Sequence, residues 1–301
     1  MELVIRLAVC FIVALAAVLA IALAAARPAE AKTLAPYHGL AAWVDIYDQT
    51  IWGDPEGGSA AIAARGVRTV YLETSNYSQN TAILHSTLLG RFVEAAHAEG
   101  IAVVAWYLPG FAKPAVDVER SLAAIRFRTP AGQRFDGFAL DIEATKVASP
   151  VLRTKRLLRV AGDLRDAVGR RYALGAIIPS PRGLELSPTV WPGFPYAGLA
   201  ETFDVFLPMV YFTYRTHGRA DTRDYVAASI DVLRRETGNP DVPIHVIGGV
   251  ADRARLSQVR GFVDAVCAAV PGGASLYDYA TTTVRQWPEL SRLASCVSGT
   301  G

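Results

Sequence analysis

Two carboxylates, Asp141 and Glu143, end an otherwise apolar stretch, Phe135-Asp-Gly-Phe-Ala-Leu-Asp-Ile-Glu-Ala144. Successive side chains of a strand point to opposite faces, so Phe138, Leu140 and Ile142 share one face. Gly137, Ala139, Asp141 and Glu143 share the other. Acids placed side by side suit proton transfer. Burial and mutual repulsion raise a carboxyl's pKa until it holds its proton near neutrality, while the neighbour orients or stabilises a reacting group. The bland alternative is a pair of solvated acids in a strand-to-helix loop. Against it, both acids keep the phase of the small-residue face, which a loop has no reason to preserve.

Such a pair needs a scaffold that delivers a strand end into a cavity. Runs of apolar or alternating residues predict eight strands, at 39–48, 67–77, 101–108, 135–144, 172–178, 203–212, 243–249 and 275–280. Helical spacing predicts helices at 57–66, 84–100, 116–126, 150–169, 224–238, 256–270 and 288–296, several closed by glycine. Residues 179–198, rich in Pro, Gly and aromatics, read as a long loop over one mouth. Pro208 weakens the sixth strand, because proline donates nothing to a ladder. Strand-helix alternation of this length argues for an α/β chain with parallel strands, and eight units for a single closed (β/α)8 TIM barrel over residues 32–301. An open doubly wound sheet is the alternative, but no Gly-x-Gly-x-x-Gly turn is present.

Closure would bring distant strand ends to one mouth, at the C-terminal face where such barrels keep their chemistry. Asp45, Glu73, Trp106, Asp141, Glu143, Tyr211 and Asp278 would ring it. Glu73 stands out, because an acid in phase with an inward face needs a partner or water. Asp45 and Asp278 have a second reading as helix caps, and Trp106 and Tyr211 as core. Trp43, Trp52, Trp106, Tyr107 and Trp191 are candidate stacking platforms, although aromatic clusters more often pack.

Composition narrows the partners. The formal charge of the 301-residue chain is +2 and no basic run occurs, so nothing points to nucleic acid. Arg6 precedes an unbroken apolar run over residues 7–26, and Ala29-Glu-Ala31 offers a small-x-small cleavage site. Residues 1–31 therefore read as a secretory signal peptide. A retained membrane tether is the alternative, since about 20 apolar residues span a bilayer. Either places the remainder, a monomer by expectation, outside the cytoplasm. Cys267 and Cys296 form an even pair in an exported chain, which suggests a disulfide; two buried thiols are the alternative.

The acidic stretch resembles the Asp-Gly-x-Asp-x-Asp-x-Glu signature of family 18 glycoside hydrolases at Asp136, Gly137, Asp141 and Glu143. Ala139 stands where that signature has its middle aspartate. Leu140-Asp-Ile-Glu143 is similar, more loosely, to a strand motif of family 25 lysozymes. Met209-Val-Tyr211 resembles the sixth-strand segment of family 18, although Phe212 stands where an acid or amide often follows. The resemblance implies a glycosidase in which Glu143 protonates the leaving oxygen, Asp141 orients the substrate's own 2-acetamido group, and Tyr211 helps hold it. If that scheme fails, Glu73 or Asp45 would supply the second carboxylate across the sugar.

The expectation is an exported glycoside hydrolase acting on a cell-wall glycan or other polysaccharide, with Asp45, Glu73, Trp106 and Asp278 binding substrate and no cofactor. Two rivals remain. Ala139 and Phe212 motivate a barrel that binds glycans without cleaving them. Asp45, Glu73, Asp141 and Glu143 would alternatively serve as oxygen ligands of a divalent-metal hydrolase. No His-Glu-x-x-His spacing, Gly-x-Ser-x-Gly elbow or Walker loop is present. Gly248-Gly249 reads as a phosphate-binding or tight turn, and Asn76-Tyr-Ser78 as a glycosylation acceptor.

Overall fold

The structure, a computed structural model, describes residues 32–269 and 272–296. The signal or anchor reading of residues 1–31 falls outside them. Among the described residues no helix is long and apolar enough to cross a membrane.

Eight parallel strands close in sequence order: β1 Gly39–Val44, β2 Thr69–Asn76, β3 Ala102–Leu108, β4 Gly137–Asp141, β5 Leu174–Pro179, β6 Val205–Met209, β7 His245–Val250 and β8 Gly273–Tyr277. Closure is made where Gly39 pairs with Gly273 and Ala41 with Ser275. The intervening helices include α1 Gln49–Gly53, α2 Pro55–Ala63, α3 Ser86–Ala98, α4 Pro114–Arg126, α5 Pro150–Val168, α6 Pro181–Leu186, α7 Tyr196–Ala200, α8 Arg219–Thr237, α9 Leu256–Ala269 and α10 Trp287–Leu290.

The predicted elements are present with shifted ends. The first strand stops at Val44 because Asp48 turns its carboxylate to the Thr50 and Ile51 N–H groups and starts α1. The stretch at 179–198 is not one long loop. Ser180 caps α6 through the Gly183 N–H, and α7 follows. Gly248 and Gly249 lie inside β7, not in a turn; a Cβ on Gly249 would stand 2.8 Å from the Phe212 ring, so packing demands their smallness. Pro208 sits in β6 where the ladder to β7 is thin, reduced to the Met209–Ile247 pair and an isolated Phe206–Ile244 bridge.

The strand phases hold. Phe138, Leu140 and Ile142 pack outward against the helices, whereas Ala41, Trp43, Tyr71, Trp106 and Ala139 fill the barrel axis. Tyr37 plugs the lower end. Its hydroxyl donates to the Phe138 carbonyl at 2.8 Å and accepts from the Phe138 N–H. Room for the ring comes from missing side chains: a Cβ on Gly137 would lie 2.9 Å from the Tyr37 hydroxyl, and one on Gly175 2.9 Å from its ring. Above it, His245 bonds the Tyr37 carbonyl and Ser275 Oγ, which also accepts from Trp43 Nε1. Burial holds the His245 pKa down at about 3, so this central imidazole is neutral. Cys267 and Cys296 are bridged, tying α9 to the end of the described chain.

Candidate active site

Four of the signature-like positions divide by role. Asp136, before β4, accepts from the Val103 N–H at 2.7 Å and from His97, and so fastens β4 to β3 and α3. Gly137 accommodates Tyr37. Only Asp141 and Glu143 reach the mouth. Beyond the end of β4 the Ile142 N–H still donates to the Ile177 carbonyl, which keeps the chain extended toward Glu143.

Glu73 enters from β2. The β2–β3 register slips between Glu73 and Ser75, and Thr74 Oγ1 donates to the Trp106 carbonyl. The slip bends the strand and lets Asn76 reach back. Asn76 Nδ2 donates to Glu73 Oε1 at 3.1 Å, and the Ile46 N–H to Oε2 at 3.2 Å. Burial nevertheless pushes the Glu73 pKa to about 7, with the nearby Asp45 and Glu143 charges adding to the rise. Asn76 is itself buried with its amide engaged, so the glycosylation reading of that triplet gives way to a role inside the mouth.

Asp141 is buried, and its Oδ1 has no hydrogen-bond partner. Burial, then the charges of Glu143 and Glu73, raise its pKa well above the carboxylate range. Ala139, one step down the same face, offers it nothing. Glu143 opens to solvent at the rim, yet the surrounding walls desolvate its carboxyl enough to raise its pKa as well. Burial and the crowding of three acids in one mouth thus disfavour their joint ionisation, and each pKa is raised. Burial, and secondarily Glu143 and Asp141, push the Tyr211 hydroxyl upward, keeping it a neutral donor.

Asp45 closes the ring across the β1–β8 seam, accepting from the Tyr277 hydroxyl at 3.2 Å and the Tyr47 N–H at 2.7 Å. Trp106 is buried in the wall, its indole N–H without a partner. A cavity of about 390 Å³ is enclosed by Asp45, Glu73, Trp106, Asp141, Glu143 and Tyr211, among others. A second, of about 330 Å³, lies between Glu143 and α6, with Tyr211, Tyr214 and Arg215 in its walls. Glu143, Met209 and Tyr211 are common to both. Both volumes fall in the range of small-molecule sites, about 300–1,000 Å³.

Six of the seven expected residues thus converge. Asp278 is the one that does not line either cavity. Its Oδ1 accepts from the Thr281 N–H and hydroxyl, so it organises the turn after β8. The expected aromatic platforms are largely packing. Trp43 stacks on Tyr71 inside the barrel, Trp52 and Trp191 are buried, and Tyr107 donates to Asp117. The exposed aromatics near the mouth are instead Tyr47, Tyr77 and Tyr214, on loops where no periodicity marks direction. Phe212 is fully buried against Phe262 and belongs to the outer core. Among the described residues no three His, Cys, Asp or Glu side chains are arranged to hold a metal ion.

No family model matches the sequence, and no curated protein matches it. Solved structures do match in fold. An endo-beta-1,4-mannanase from Thermotoga petrophila superposes with a TM-score of 0.66 at 10% identity, over 88% of this chain and 78% of that one. The glycoside hydrolase domain of PgaB (BpsB) from Bordetella bronchiseptica gives 0.60 at 12%, over 88% and 99%. A glycoside hydrolase family 18 N-acetylglucosaminidase from Paenibacillus barengoltzii gives 0.58 at 13%, over 86% and 99%. At such identities the likeness is one of fold alone, the closed (β/α)8 barrel that these hydrolases share with this chain.

Proposed function

We propose that the chain is an exported glycoside hydrolase that cleaves a cell-wall or other polysaccharide, with Glu143 as the proton donor. The observation that carries this is the position of Glu143 in the shared wall of two adjoining cavities. A glycan lying across both would put one sugar on each side of the acid, with the linking oxygen above it. Glu143 donates its proton to that oxygen as the bond to the anomeric carbon breaks, and an oxocarbenium-like centre develops.

Asp141 lies on the same strand and the same face, so it is badly placed to attack the opposite side of the sugar. It suits orientation of a group on the substrate, such as the 2-acetamido oxygen and nitrogen, with the Tyr211 hydroxyl as a further donor. The neighbour described as an N-acetylglucosaminidase fits that reading. Glu73, across the cavity, is the alternative second carboxylate. The reading is tested by incubating the secreted chain with chitin, mannan and peptidoglycan over pH 4–8 and measuring new reducing ends. Release from one of them supports it, and intact glycans throughout, with binding retained, would instead favour the non-catalytic barrel that Ala139 and Phe212 suggest.

A further inference from the structure

Beside the central cavity, and sharing Tyr77 and Ser78 with it, runs a groove of about 670 Å³ toward α4. We propose that this groove seats a carboxylate-bearing sugar unit, and that the glycan recognised is therefore an acidic one. The inference rests on the glycosidase reading only in taking the ligand to be a glycan.

Lys113, Arg120 and Lys146 line the groove. No ion pair among the described residues involves any of the three. Arg120 is held in place, donating to the Asn76 carbonyl at 2.8 Å and the Gln79 carbonyl at 2.6 Å. Its position is thus fixed by backbone carbonyls, with Tyr107 and the Asp117 carboxylate beside it. Lys146 lies 5.2 Å over the ring of Tyr77, on the ridge between groove and central cavity. Lys113 is exposed at the opposite wall.

The acid in this wall, Asp117, offsets part of the Arg120 charge but leaves Lys113 and Lys146, which make no ion pair among the described residues. It is buried, and its oxygens already accept from the Tyr107 hydroxyl and the Gly110 and Phe111 N–H groups. A cationic pocket with fixed donors and an aromatic ridge matches a planar carboxylate on a pyranose ring: the ring packs on the aromatic, and the carboxylate meets the cations. The cleft as a whole has the same pattern. Arg215 stands in the cavity on the other side of Glu143, also outside any ion pair among the described residues. Positive charge thus flanks a centre crowded with acids. A carboxylate at the centre would be repelled, whereas carboxylates on the flanking units are attracted.

The test measures binding to the full chain carrying Glu143→Gln, so that cleavage does not intervene. Probes are hyaluronan, alginate and oligogalacturonate fragments and peptidoglycan glycan strands, each beside its carboxyl-reduced counterpart, with chondroitin sulfate as a sulfated polyanion. At least one carboxylated glycan should bind roughly tenfold more tightly than its reduced form. That advantage should shrink with added salt and vanish in Lys113→Gln/Lys146→Gln. Both lysines are exposed, so the variant should unfold at the parental midpoint. Equal binding of charged and reduced forms, an advantage unchanged by the lysine variant, or binding that follows sulfate instead of carboxylate would each overturn the proposal. Cleavage of a neutral glycan with any of those results would leave the hydrolase reading standing and remove only this one.

Discussion

Asn76 donates its side-chain amide to Glu73 three residues back along β2, 3.1 Å away, across a slip in the strand register. The contact fixes which way a buried carboxyl faces. It also sets a limit on how far burial raises that carboxyl, because a donor favours the ionised form.

A pH dependence of stability follows. Glu73 titrates at about 7 in the fold against an ordinary 4.5. A carboxyl with a raised folded pKa adds stability that is complete below the unfolded value and disappears as pH rises through the folded one. The loss therefore falls between about pH 4.5 and 7 and is on the order of 3 kcal/mol. Urea unfolding of the parent and of Glu73→Gln across pH 4–8 measures it. The stability of the parent relative to the variant should fall across that window and level off above it; a difference independent of pH would contradict the assignment.

The plug at the lower end makes a second, independent prediction. A Cβ at position 175 would stand 2.9 Å from both Leu207 and the Tyr37 ring and 3.1 Å from Ala139. Gly175→Ala should overpack the barrel axis and cost about 1–3 kcal/mol in denaturant unfolding. Gly162→Ala, on α5 with nothing near its Cβ, should cost nothing or stabilise slightly, and serves as the control.

Much of the site was legible in the sequence because a strand's two-residue period carries direction. Once Phe138, Leu140 and Ile142 face the helices, Asp141 and Glu143 must face the axis, and the same reasoning turns Glu73 and Trp106 inward. Residues beyond the strands had no such period. Asp278 is out of phase: Ser275 and Tyr277 are the inward residues of β8, and Asp278, one residue after the strand ends, turns to Thr281. Tyr47, Tyr77 and Tyr214 reach the mouth from loops. Residue type alone did not separate them from Trp52 and Trp191, which are equally large and lie in the core. Asn76 was invisible as a site residue because its role depends on the register slip, a property of two strands together.

The disulfide offers a third prediction. Cys267 and Cys296 are 29 positions apart and enclose β8, which closes the barrel against β1. Removing the link frees a loop of that length in the unfolded chain, a change worth about 2–4 kcal/mol. Cys267→Ala/Cys296→Ala should lower the denaturant midpoint accordingly, and reductant should shift the parent toward the variant without shifting the variant itself. Identical midpoints for parent and variant would show that the bridge contributes nothing.

The most direct measurement compares the parent and Glu143→Gln on one glycan that the parent cleaves, with thermal unfolding followed in parallel. Glu143 lies at an open rim where glutamine fits without repacking, and its removal relieves like-charge crowding with Asp141 and Glu73, so the unfolding midpoint should not fall. Loss of the proton donor should reduce the cleavage rate about 10²–10⁴-fold. A Glu143→Gln protein that cleaves at the parental rate would contradict the assignment of the acid, and with it the chemistry derived for this mouth.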